Sequence, residues 1–292
     1  MRRKFAALLA LAAPMTAFAA TPEAEWKASI AEQNYAYAKR PHAMLKIQDS
    51  AYIGEGQTAV LRGVKGQPGS WKWSNDAEAA GALSVSLKNG RLAVALNGKP
   101  VDAALIQKSI VVDKDVDVAG QPTQVNANVM GWRIFVYNQQ NPDAKAFTSV
   151  SYYPYDPAFK VTARFVPDAK LPPRVFRTSR GTDKQFYHAG DAVFLLKGKA
   201  VTLPFYAGSN RPEEIEDLSA FFTDNLTGNG AYAAGRYVDV AGFGKFPTAS
   251  LTIDFNYAYN PNCARSPHYT CPLATDAIRL AVKAGERDPH AH

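Results

Sequence analysis

Apolar and polar residues alternate along most of this chain at a period of two. Leu83, Val85 and Leu87 alternate with Ser84 and Ser86, Asn89-Gly90 follows, and Leu92, Val94 and Leu96 alternate again. Asn-Gly supplies the two left-handed residues of a tight turn, so this stretch reads as a β-hairpin. Further strands are predicted at Ile110 to Val112, Trp132 to Val136, Val161 to Phe165, Ala192 to Leu196, Val201 to Phe205, Tyr237 to Val240 and Ser250 to Phe255, with a second hairpin turn at Lys197-Gly198-Lys199. The one strong helical signal lies near the start. Thr21-Pro22-Glu23 gives a hydroxyl cap, a proline in the first turn and an acid, and Trp26, Ile30 and Tyr37 fall near one face. That helix should end near Arg40, before Pro41. A short helix is also expected over Arg211 to Ser219. The fold class is therefore mainly β: antiparallel sandwich or barrel-like sheets with one N-terminal helix.

The apolar pattern weakens between Asp113 and Asn128, which suggests a boundary near residue 130. The expected organisation is an export segment at 1–19, the helical segment at 20–43, a β-sandwich-like subdomain at 44–130, a β domain with a cysteine loop at 131–286 and a tail at 287–292. Within the first segment, Arg2, Arg3 and Lys4 precede the apolar run Phe5 to Ala13, and Ala17-Phe18-Ala19 forms a small-x-small cleavage site. This predicts a periplasmic or secreted protein after cleavage near Ala19. Three of the seven surplus positive charges belong to that segment, and the remaining Lys and Arg are scattered, which argues against a nucleic-acid surface. No apolar run of membrane-spanning length follows Ala20.

Candidate chemistry gathers toward the C-terminus. Leu251, Ile253 and Phe255 define a buried face, so Thr252, Asp254 and Asn256 should share the other, with Tyr259 and Asn260 just beyond. A carboxylate among amides and a phenol could bind a polar ligand or act as a general base; the same residues could equally form an Asx-rich turn. Arg236 is expected to pair with Asp224 or Asp254, and Glu286 to join that network, in an architectural role. Cys263 and Cys271, the only cysteines, are expected to form a disulfide in an oxidising compartment. A metal site on Cys263, His268 and Cys271 competes with that reading but lacks an evident fourth ligand. Asn225-Leu226-Thr227 fits a glycosylation sequon yet lies in a turn pattern, and His290 and His292 lie in the tail. No nucleophile elbow, phosphate loop or His-Glu-x-x-His motif is present.

Three blocks carry a resemblance. The first runs from Tyr153-Pro154-Tyr155-Asp156-Pro157 through Phe159-Lys160-Val161 to Phe165. The second comprises Phe222-Thr223-Asp224, Thr227-Gly228, Tyr232 and Gly235-Arg236-Tyr237. The third comprises Asp254-Phe255-Asn256, Ala258-Tyr259-Asn260-Pro261, Cys263, Cys271-Pro272-Leu273, Arg279-Leu280 and Ala284-Gly285-Glu286. Together they resemble the bacterial family known as domain of unknown function 1684, over roughly residues 26 to 286. The resemblance implies a fold and a region of interest, Tyr232 included, but no reaction; the N-terminal half is loosely similar to a forkhead-associated β-sandwich. The chain departs from the pattern at Ala274, Thr275, Ala277 and Ile278, and at Tyr137, Asn138, Gln140 and Asn141-Pro142, which marks it as a divergent member.

The functional expectation is an exported β-rich envelope protein, either a structural module or one that binds a small polar ligand or an envelope component. Its candidate contacts are Asp224, Tyr232, Arg236, Asp254, Asn256, Tyr259, Asn260 and His268, with no cofactor. One alternative is an envelope hydrolase using Asp254 or Glu286 as base, with His268, Tyr259 or Arg236 polarising the substrate. The other is the cysteine–histidine metal site.

Overall fold

The computed structural model describes residues 20–76 and 81–289. The expected export segment and the tail histidines lie outside them.

The helix forms over Pro22–Ala38. Thr21 caps it by accepting the Ala24 amide at 3.2 Å, and Trp26 and Ala38 are its buried residues. Trp26 fastens the helix to the far end of the chain, because its indole N–H donates to the Asn256 carbonyl at 2.9 Å.

Next comes a β-sandwich of two antiparallel sheets. One has four strands in the spatial order Ile47–Ile53, Val129–Asn138, Val116–Asn126, Ile110–Asp113; the other has five, in the order Lys72–Ser74, Thr58–Arg62, Leu83–Lys88, Arg91–Leu96, Lys99–Val101. Ile53, Val118, Ile134 and Val136 from the first meet Leu61, Leu83, Val85 and Val94 from the second in one core, closed by Trp71 and Ile106. The expected hairpin is present, with Asn89 and Gly90 both at positive φ.

The C-terminal half is an eight-stranded, largely antiparallel sheet curled into a nearly closed barrel. Its path runs Arg236–Ala241, Asp217–Asp224, Lys199–Ala207, Asp183–Leu196, Lys160–Pro167, Ser250–Asp254. Pro173–Arg177 adds to the long Asp183–Leu196 strand, and Asp276–Ile278 lies parallel to Asp217–Asp224. The Tyr237–Tyr259 bridge approaches closure. Phe165, Leu203, Phe205, Phe222, Ile253 and Phe255 fill the inside.

Two expectations are corrected. The segment read as a boundary, Asp113 to Asn128, contains the eleven-residue strand Val116–Asn126. Only its first residues are buried; the rest is half-buried or exposed and held by backbone pairing to Val129–Asn138, so the sequence there looks like a linker. Residue 130 sits beside that hairpin's turn, and the two large cores part instead between Val136 and Phe159. Arg211 to Ser219 is a single 3-10 turn at Pro212–Glu214 running into a strand, not a helix.

Among the described residues, no helix is long and apolar enough to cross a membrane.

Candidate functional site

Leu251, Ile253 and Phe255 face the barrel interior as the alternation requires, but the strand stops at Asp254. Asp254 caps the following 3-10 turn, Phe255–Tyr257: its Oδ1 accepts the Asn256 backbone amide at 3.0 Å and the Asn256 side-chain amide at 2.8 Å. Asn256 is buried rather than displayed beside Thr252. Its side chain clasps Asp156, donating to the carbonyl at 2.9 Å and accepting the amide at 3.0 Å. Asp254 and Asn256 thus form an Asx turn, while the Asn260 side-chain oxygen accepts no hydrogen bond among the described residues.

Arg236 pairs with Asp224, both fully out of water, at 2.9 Å. Its remaining donors reach the carbonyls of Val282 at 2.8 Å, Ala284 at 2.5 Å and Glu286 at 3.2 Å. Asp224 also accepts the Val282 amide at 2.8 Å. The pair is thus a staple that holds the strap 282–286 across the barrel mouth. Burial pulls the Arg236 pKa down, and the Asp224 carboxylate opposes that.

At the strap's end, the Glu286 side chain is wholly buried and fully engaged. One oxygen accepts from the Asn260 amide and from Arg265, each at 2.9 Å; the other accepts from Tyr152 at 3.1 Å and Gln33 at 3.2 Å. Burial raises its pKa, and Arg265 opposes the rise. Asn260 donates to the Arg287 carbonyl at 2.7 Å, and Tyr259 donates to Asp239 at 2.7 Å. Of the two candidate bases, Asp254 caps a turn through Oδ1 and Glu286 sits inside a closed network.

The cysteine-bracketed loop crosses to the N-terminal sandwich and lies on the outer face of its four-stranded sheet. Tyr269 packs on Phe135 with ring centroids 5.1 Å apart, and the Arg133 guanidinium stacks on both rings. The Tyr52 hydroxyl donates to the His268 carbonyl at 2.9 Å, and the His268 ring lies 3.4 Å from the Ser50 hydroxyl. His268 is held there by the sheet, and no group of three or more His, Cys, Asp or Glu among the described residues is placed to hold a metal. The expected disulfide is not formed: Cys263 and Cys271 are free thiols lying side by side, with the Cys263 amide donating to the Cys271 sulfur at 3.4 Å. They are in hydrogen-bond contact rather than covalently joined. Tyr232 directs its hydroxyl to the Cys263 sulfur.

Where the loop meets the sandwich, a cleft of about 240 Å³ opens. Its lining includes Gln48, Asn138, Asn141, Arg265, Ser266 and His268. Arg265 Nη1 and Ser266 Oγ are buried and have no hydrogen-bond partner among the described residues, although Arg265 Nη2 is committed to Glu286. Burial lowers the His268 pKa, disfavouring the charged imidazole. Among the described residues, Asp143 is the one carboxylate in the cleft lining. A second cleft of about 390 Å³, between the helix and Tyr152, Tyr257 and Tyr259, differs in kind: its polar residues Gln33 and Tyr152 are bonded to each other and to Glu286.

Arg265 and Ser266 were not singled out by sequence reasoning. Their only signal was a place inside the cysteine-bracketed loop.

Residues 145–287 match the model of the family described as protein of unknown function DUF1684. The match covers the strap, the barrel and the loop, and leaves the helix and the whole sandwich outside. No curated protein matches the chain. Among solved structures, the chain is similar to an uncharacterised protein of Haloarcula marismortui, determined by solution NMR, with 27% identity over 51% of this chain and 82% of that one, at a TM-score of 0.43.

Proposed function

We propose that this chain is an exported envelope protein that binds a small carboxylate in the cleft between the cysteine-bracketed loop and the sandwich. One observation carries the reading: Arg265 and Ser266, side by side in the cleft lining, each bury a polar atom with no protein partner. A buried donor left unpaired costs about 1–3 kcal/mol, and more when it is charged, so a ligand supplying acceptors recovers that cost once a small side-chain shift opens the two covered atoms to the cleft. The cleft is smaller than the roughly 300–1,000 Å³ typical of drug-sized sites, which restricts the ligand to a small molecule. The Glu286 pair and the Tyr37 ring beneath the guanidinium hold Arg265 in place. Export is supported by the basic, apolar and small-x-small pattern of residues 1–19.

Hydrolysis through Asp254 or Glu286 fits the geometry poorly, since both carboxylates already serve the fold. The same holds for a metal on Cys263, His268 and Cys271, because the sheet holds the imidazole against Ser50.

The test is a thermal-shift and calorimetric screen of small mono- and dicarboxylates against the wild type and Ser266→Ala, with the corresponding amides as controls. Saturable binding of a carboxylate, absent for its amide and weakened about tenfold or more in Ser266→Ala, is expected. Equal binding of acid and amide, or no effect of the substitution, overturns the reading.

A further inference from the structure

Cys263 and Cys271 are placed unlike two structural thiols buried in a core. They adjoin each other, they differ in accessibility, and hydroxyl groups surround one of them. Cys263 is half-buried, whereas Cys271 is buried. The Ser179 hydroxyl accepts the Cys271 amide at 3.2 Å and also reaches the Cys263 sulfur. Tyr232 reaches the same sulfur. The backbone at Cys271 is held firmly: its carbonyl accepts the Ser179 amide at 2.9 Å, and the Tyr237 hydroxyl bonds to the Pro272 carbonyl.

We propose that Cys263 and Cys271 form a working dithiol that reduces low-molecular-weight disulfides, with Cys263 attacking and Cys271 resolving. This rests on the thiol geometry alone and is independent of the carboxylate cleft. In the first step the Cys263 thiolate attacks one sulfur of the disulfide R–S–S–R. A Cys263–S–R bond forms, the R–S–S–R bond breaks, and the departing thiolate takes up a proton. In the second step Cys271 gives up its proton and attacks the Cys263 sulfur. The Cys263–Cys271 bond forms, and the second R–S⁻ leaves and is protonated. Overall the dithiol loses two electrons and two protons, and the disulfide becomes two thiols.

The surroundings suit these roles. Hydrogen bonds from the Cys271 thiol, Ser179 and Tyr232 favour the charged form of Cys263 and pull its pKa down, against burial. The same contact, together with burial, pushes Cys271 up. The attacking sulfur is therefore the accessible one and the one whose charged form its neighbours favour, while its partner is the one that keeps its proton more readily until the mixed disulfide has formed. The ionisable groups acting on the pair are Tyr232 and Tyr237 at both sulfurs, and Lys184, Tyr52, Tyr259 and Tyr269 at Cys271. Access to Cys263 is partial, which favours a small disulfide over a folded protein substrate.

The full chain, first reduced with a phosphine that is then removed, is incubated with glutathione disulfide and followed by intact mass and peptide mapping. Wild type should lose two hydrogens and release two glutathiones per chain, with no lasting adduct, and excess reduced glutathione should restore the dithiol. Cys271→Ser should keep one glutathionyl group on Cys263. Cys263→Ser should react at least about tenfold more slowly, since its remaining thiol is buried and protonated. Should either variant fail to fold, limited iodoacetamide labelling of the wild type replaces it, with Cys263 alkylated first and its labelling persisting below the pH at which ordinary thiols stop reacting. An internal disulfide that glutathione cannot reopen would mean a permanent crosslink and overturn the proposal. So would an adduct on Cys271, or equal labelling of both thiols.

Discussion

Replacing Asp224 by Asn removes the counterion of a guanidinium that has no water to turn to. Arg236 is 1% exposed and the Asp224 side chain 0%, so the charge left behind is neither solvated nor screened. Breaking a buried pair by deleting one partner costs about 3–5 kcal/mol. Taking about 4 kcal/mol, and about 2–4 °C per kcal/mol for a chain somewhat shorter than this one, melting should fall by roughly 8–16 °C. The loss should also be local first. Asp224 accepts the Val282 amide and the Asn225 amide bonds the Leu280 carbonyl, so these amides should lose hydrogen-exchange protection before the sandwich does. The control is Glu23→Gln, which breaks a helix-surface pair with Lys27 whose side chains are 66% and 52% exposed; such pairs are worth about 0.3–0.5 kcal/mol. Differential scanning fluorimetry and hydrogen exchange by mass spectrometry read both effects. If Asp224→Asn lost no more than the control, the staple would be decorative and the strap held by something else.

Glu286 has a raised pKa, so its contribution to stability is fully present below the unfolded pKa of about 4.3 and is lost as pH rises through the folded value. The melting-temperature difference between wild type and Glu286→Gln should therefore shift against the wild type as pH rises from 4 toward neutrality; a shift in its favour refutes the assignment. Gly285 has φ 75°, and a Cβ there would lie 2.4 Å from the Ala258 carbonyl oxygen. Gly285→Ala should thus cost at least about 1–3 kcal/mol in urea melts, and a neutral result would mean the strap shifts freely. Expression in a Gram-negative host should yield a mature protein whose N-terminal sequencing begins at Ala20, and an intact N-terminus in the cytosolic fraction would contradict export.

The sequence carried the fold class because its two strongest cues are local. Asn89-Gly90 and Lys197-Gly198 fix hairpins through backbone conformation, and Thr21-Pro22 fixes the helix start. It misread Val116–Asn126 because a strand held by backbone pairing, with little buried surface, has no apolar period to detect. Asp254, Asn256 and Arg236 were recognised as important, and their roles as cap, clasp and staple follow from residues distant in sequence: Asp156 for Asn256, and the strap carbonyls for Arg236. The cleft was not legible. Arg265 and Ser266 become notable only where the loop meets Asn138 and Asn141, an encounter set by how the barrel seats on the sandwich.

The most direct test of the carboxylate site is a crystal structure of the full chain with the tightest-binding acid from the screen. Its carboxylate oxygens should lie within about 3.2 Å of Arg265 Nη1 and Ser266 Oγ. A single water bridging those two atoms, with the acid bound elsewhere or absent, would contradict it.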